Sequence, residues 1–180
     1  MGKQRKLTAG EIALARTAFE DKIDYARVRL SDGPGSNPAA HIAFMRGNPA
    51  ITIGNTIYFK EGFSADFSAA GADGATFMHE MTHVWQYRTL GMPAFYARYG
   101  AELARANFKP GDMYKYKDEA RFGDAMLEAQ AQMVGDYHHA LSVGNASARA
   151  RIARNLAGSG LYGMKVQPAA DKARPTTQSR

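Results

Sequence analysis

Residues 73–90 read Asp-Gly-Ala-Thr-Phe-Met-His-Glu-Met-Thr-His-Val-Trp-Gln-Tyr-Arg-Thr-Leu, and the rest of the chain is best understood from this stretch outward. Asp73 offers a side-chain acceptor to the first free amides of a helix, and Gly91 with Pro93 stops it, so one helix to about Leu90 is expected. His79 and His83 stand four residues apart, which stacks two imidazoles on one face. Such a pair reaches a single Zn²⁺ at roughly 2.0–2.1 Å. Glu80 lies about 100° round the helix from His79, beside the metal position rather than on it, where a general base for an acidified water belongs. Zinc brings the pKa of such a water to about 7. With five His and seven Glu in 180 residues, composition alone supplies this His-Glu-x-x-His pattern about 0.005 times.

Two histidines do not complete a catalytic zinc site, which takes three protein ligands and keeps one open position. A metzincin would need Gly at position 86 and His at 89, where this chain has Gln86 and Thr89. A thiolate is excluded because there is no Cys. A carboxylate from another helix remains, the gluzincin arrangement, with Glu119, Asp124, Glu128 and Asp136 as candidates, or else His138 or His139 as the third ligand. Glu128 is the best placed. It stands in Leu127-Glu128-Ala129-Gln130-Ala131-Gln132, where small residues allow a close helix crossing and a buried charge needs a partner. Gln132 is a candidate to orient a liganding imidazole. Tyr137 or His138 is expected as the donor that stabilises a developing oxyanion, and His41 as an ordinary histidine.

Upstream, Thr8-Ala9-Gly10-Glu11 has the form of a capping box, opening a helix to about Asp21. Residues 25–30 alternate like a strand, 31–38 read as a loop, and 41–45 as a short strand. Ile51-Thr52-Ile53 and Thr56-Ile57-Tyr58-Phe59 flank Gly54-Asn55, a two-residue hairpin signal. That hairpin could offer a sheet edge to a peptide. Downstream, helices are expected at 94–105, 124–141 and 146–157, with 107–117 irregular.

The 180 residues are 45% hydrophobic and 22% charged, the balance of one globular domain. The formal charge of +6 resides at the ends. Lys3, Arg5 and Lys6 lie in residues 1–6, and Lys165, Lys172, Arg174 and Arg180 oppose Asp171 in 164–180. Residues 7–163 therefore hold 16 basic and 16 acidic side chains. A neutral body argues against a nucleic-acid footprint, which puts a basic stripe on a folded face. The division expected is a basic tail 1–6, a single domain 7–163 and a disordered basic tail 164–180. No run approaches the roughly 18 apolar residues of a membrane span. Glu11 and Arg16 break what would be a signal-peptide core, so a cytoplasmic protein, or one exported by a non-classical route, is expected.

Residues 76–87, Thr-Phe-Met-His-Glu-Met-Thr-His-Val-Trp-Gln-Tyr, resemble the zinc helix of metallopeptidases associated with Vgr and Rhs elements and contractile injection systems. Residues 51–59 resemble the strand pair before that helix. Glu128-Ala129-Gln130-Ala131 with Asp136-Tyr137 resembles a Glu-Gln-Gln-Ala segment with its later Asp-Tyr, Ala129 replacing the first Gln. The likeness spans about residues 23–140. It implies His79, His83 and Glu128 as ligands and Glu80 as base, in an α+β fold of minimal zincin-like (gluzincin) type, a small antiparallel sheet followed by the active-site helix and a second ligand-bearing helix. The expected activity is zinc-dependent hydrolysis of peptide or protein substrates in an injection-system setting. The alternative is a non-catalytic accessory or cargo protein that zinc holds together.

Overall fold

In the computed structural model, which describes residues 3–165, four short strands build one sheet: β1 (Gln4–Lys6), β2 (Arg29–Asp32), β3 (Ala50–Ile53) and β4 (Thr56–Phe59). Their order is β1-β2-β4-β3, so β3 is an edge. β1 pairs antiparallel with β2, β2 parallel with β4, and β3 antiparallel with β4. The sheet is thus mixed, not purely antiparallel. The parallel pair arises because β3 runs opposite to β2 and the hairpin reverses the chain once more, bringing β4 back along the direction of β2. The hairpin forms as its turn chemistry dictates. Gly54 has φ of +62°, the left-handed value that a two-residue turn of the II′ kind needs at its first central residue.

Seven α-helices accompany this sheet among the described residues: α1 (Ala9–Phe19), α2 (Pro38–Met45), α3 (Gly74–Leu90), α4 (Met92–Arg105), α5 (Pro110–Met113), α6 (Leu127–Ser142) and α7 (Ala146–Leu156). The architecture is α+β, as the patterning implied. Two stretches differ in kind: Tyr25–Arg27 of the expected 25–30 strand form a 3-10 turn ahead of β2, and residues 41–45 end a helix, not a strand. Asn37 caps it by accepting from the amides of Ala39 and Ala40, and Pro38 at the first helical position has its φ already set. The cap lay at the end of a stretch whose Gly and Pro content read as loop.

The core joins one sheet face to α1, α3, α6 and α7. Phe59, Phe67 and Phe77 stack in series, with ring centroids 4.7 and 5.5 Å apart. The principal partner of α3 is α6. Gly135 permits that crossing, since a Cβ there would lie 3.0 Å from the Ala75 carbonyl oxygen.

Within the expected basic tail 1–6, residues 4–6 are not free but form β1. Arg5 forms two hydrogen bonds to the carboxylate of Glu11, at 2.7 and 2.8 Å, and donates to the Ser64 carbonyl. Glu11 is fully buried and also accepts from the amides of Thr8 and Phe67. The capping-box acid needed a counter-charge, and β1 brings it. The folded unit therefore begins before residue 7. At the other end, Met164 packs against the core, and the remainder of the expected tail, 166–180, lies outside the described residues.

Candidate metal centre

The Asp73 cap and the continuous turns of α3 place His79, Glu80 and His83 together, all buried. Glu128, near the start of α6, arrives opposite them across the helix crossing. Among the described residues, His79, His83 and Glu128 form a group able to hold a metal ion. Both Nε2 atoms approach the same Glu128 oxygen, Oε2, at 3.3 Å from His79 and 3.2 Å from His83. The two Nε2 atoms are themselves 3.2 Å apart. Three donors held at 2.0–2.1 Å in a tetrahedral array lie about 3.3 Å from one another, so this triangle fits one small divalent ion.

The electrostatics agree with that reading. Burial alone would lower the His83 pKa, but the Glu128 carboxylate, its hydrogen bond and Glu80 lift it to about 9. Burial alone would raise Glu128, yet His83 and the hydrogen bonds from both imidazoles hold it well below the usual carboxylate range. Without an ion His83 holds a proton against the Glu128 carboxylate.

Gln86 and Gln130 orient His83, and neither was recognised from sequence. The Gln130 amide donates to the carbonyls of Phe122 and Ala125, at 2.8 and 3.3 Å. Its own carbonyl then accepts from the Gln86 amide at 3.0 Å, which also donates to the Leu127 carbonyl. Main-chain carbonyls only accept, so both amide orientations are forced. The Gln86 oxygen must therefore take the Nδ1 hydrogen of His83, at 2.8 Å, leaving Nε2 for the cluster. The signal was present at position 86, but it served only to exclude a metzincin.

Glu80 is anchored from the sheet. Thr52 on the edge strand donates its hydroxyl to Glu80 Oε2 at 2.7 Å. The carboxylate lines a cleft of about 250 Å³ that also reaches His83, Glu128, Thr52 and Tyr114. Tyr114 stacks on His79, with centroids 5.7 Å apart and planes 15° from parallel. Burial first, then the Glu128 and Glu80 carboxylates, push its phenol well above the ordinary range. It is therefore a protonated donor at neutral pH.

The structure places the two expected oxyanion donors elsewhere. Tyr137, nine residues past Glu128, is on the opposite side of α6 and packs on Tyr162 at 4.6 Å. His138 sits against Gly74, where an added Cβ would come within 2.5 Å of its Nε2. Neither lines the cleft. Tyr114 comes from a stretch read only as irregular, and nothing local marks it. Gln132 donates to Asp136 at 2.7 Å rather than to an imidazole. Glu119, Asp124 and His139 are exposed, and so is His41, whose Nε2 lies 3.0 Å from the Gly35 carbonyl oxygen.

Residues 13–91 match the family described as eCIS core domain. Over 155 residues the chain is 34% identical to the type VI secretion system spike protein VgrG2b of Pseudomonas aeruginosa. That match covers 83% of this chain but 14% of the spike protein, so the chain spans a small part of that relative's length. The solved effector domain of Pseudomonas aeruginosa VgrG2b is 30% identical, with a TM-score of 0.59. The likeness covers 84% of this chain and 81% of that domain.

Proposed function

This chain belongs to the family of the VgrG2b effector domain, and from that membership we propose that it is an exported zinc-dependent peptidase working with a contractile injection system. The observation that carries the reading is the triangle of His79, His83 and Glu128 donors, 3.2–3.3 Å on a side, with buried Glu80 beside it on an open cleft. We read the arrangement as a minimal zincin-like fold, a sheet edge beside the metal helix with the third ligand on a second helix.

His79, His83 and Glu128 would hold Zn²⁺, which when bound supplies Lewis acidity to a carbonyl and acidifies a water. Glu80 takes the proton of the attacking water and delivers it to the departing amine. Thr52 keeps that carboxylate facing the cleft, and because β3 is a sheet edge, an extended peptide can align beside it. Tyr114 donates its phenolic hydrogen to the oxygen on which negative charge develops. Delivery in association with a spike protein would provide a route of export.

The zinc-loaded protein incubated with unstructured protein substrates should cleave them, and a chelator should stop it. Glu80→Gln keeps the Thr52 hydrogen bond and the bound zinc but should lower cleavage by about 10²–10⁴-fold. Cleavage by the variant at the parent rate would overturn Glu80 as base. Bound zinc with no cleavage by the parent would leave the accessory-protein reading.

A further inference from the structure

The walls of the cleft carry information about what enters it. Ala39, Ile42, Ala43 and Arg46 line one side, the spacing of a single stripe along α2 and its C-cap. The two alanines leave room, whereas Ile42 projects and is 47% exposed. From α4 come Phe95, Tyr96 and Tyr99, and Tyr96 is 49% exposed. Met45 on α2 and Met92 on α4 are further large apolar side chains left in solvent. Exposed apolar residues on the two helices that flank one cleft mark a contact surface rather than scattered surface composition.

Charge adds a second constraint. Arg46 is the one Lys or Arg in the lining, and it is exposed. At the end of α2 its guanidinium could have capped the last carbonyls. Among the described residues, however, it takes part in no ion pair and no side-chain hydrogen bond, although the C-terminal helix position would favour one. Tyr99 places Arg46 and the metal cluster within electrostatic reach of one point. Burial first and then Glu128 raise that phenol to about 12, against the opposing pull of Arg46. The cleft therefore has carboxylates at the metal end and an uncommitted cation on its wall, with aromatic surface also lining it.

We propose that this cleft selects peptides in which a bulky apolar side chain stands close to a carboxylate, the apolar group packing on Ile42 and Tyr96 and the carboxylate meeting Arg46. A guanidinium binds a carboxylate through parallel, charge-assisted hydrogen bonds. An acidic side chain and the C-terminal carboxylate of a peptide present the same chemistry. A volume of about 250 Å³ is below the roughly 300–1,000 Å³ of common ligand pockets, so the two groups lie within about two residues of each other. The inference rests on the peptidase reading of the site and adds the class of peptide.

Zinc-loaded Glu80→Gln protein serves as a binding form, with labelled short peptides titrated by fluorescence anisotropy. One series holds Phe constant and places Asp, Asn or Lys beside it, and a second compares a free C-terminal carboxylate with its amide. At least one carboxylate peptide should bind about tenfold or more tightly than its neutral counterpart, and the arm that does so identifies the source. Arg46→Gln should erase that preference without weakening the neutral peptides, and Arg46→Glu should shift it to Lys. Phe→Ala in the peptide should weaken every member. Arg46 is exposed, and unchanged circular dichroism verifies folding of both variants. Equal binding of acidic and neutral peptides, equal weakening of all by Arg46→Gln, or no binding at all overturns the inference. If acidic peptides bind selectively but the parent cleaves none, the peptidase reading fails and the selectivity stands. If the parent cleaves acidic and neutral peptides equally well and binds them equally, the selectivity fails and the peptidase reading stands.

Discussion

Glu11 and Glu128 are both buried carboxylates, and they are compensated in opposite ways. Glu11 faces Arg5, a guanidinium that stays charged at every accessible pH, and accepts from two main-chain amides. Each of its partners is permanent. Glu128 faces two imidazoles, whose protons can leave and whose nitrogens can then take an ion. The first cage is closed and joins β1, α1 and the loop before α3. The second can exchange its counter-charge. The difference separates a buried charge that holds a fold from one that can hold a cofactor, and both began as a lone Glu in a helical stretch.

The comparison breaks most sharply at Glu11. Glu11→Gln leaves the Arg5 charge inside the protein without its carboxylate, and losing one partner of a buried pair costs about 3–5 kcal/mol. Denaturant unfolding should show that loss, while zinc affinity measured by competition stays within about twofold. Deleting residues 1–6 removes the other partner and should lower the melting temperature by roughly 6–20 °C, at about 2–4 °C per kcal/mol for a domain of this size. A free tail would leave it unchanged.

Glu128→Gln inverts the pattern. A neutral amide beside two imidazoles is tolerable in the metal-free protein, but a ligand is gone, so zinc affinity should fall by more than about 100-fold. Its metal-free stability should change less than that of Glu11→Gln. Gln86→Leu sharpens the same contrast with a smaller effect. It removes the acceptor that fixes the His83 tautomer, and zinc affinity should drop about 10–100-fold. Isothermal titration with zinc would rank the variants, and Gln86→Leu matching the parent would remove the orienting role.

These pairings explain what the sequence could and could not reveal. The metal helix was legible because its cap, its i, i+4 histidines and its Gly-Pro stop all lie within twenty residues. Glu128 was legible because a charge among alanines needs a reason. Arg5 was not, because its partner is made by strand pairing, and a basic stretch near a terminus looks solvated when only its neighbours are read. Tyr114 and Gln130 take their roles from tertiary placement against α3. Tyr137 and His138 follow Glu128 closely in sequence, yet helical geometry turns both away from the cleft.

The pH dependence is the most diagnostic effect, because it tells the two cages apart. In the metal-free protein His83 has its pKa raised from 6.5 to about 9 by its partners. A group raised on folding stabilises the native state fully below its unfolded pKa, and that contribution is lost as pH climbs through the folded value. The metal-free protein should therefore lose melting temperature between pH 6.5 and 9. With zinc the sign reverses, because the ion displaces the His83 proton and binds more tightly as that proton becomes easier to remove. The Arg5–Glu11 pair contains no imidazole and touches neither His83 nor Glu128, so Glu11→Gln should lower the whole curve without changing its slope. His83→Ala should flatten it. Thermal melts of the parent and both variants at half-unit steps, with chelator and with zinc, give the comparison directly. A metal-free parent whose melting temperature tracks that of His83→Ala across the window would mean that Glu128 does not hold a proton on His83.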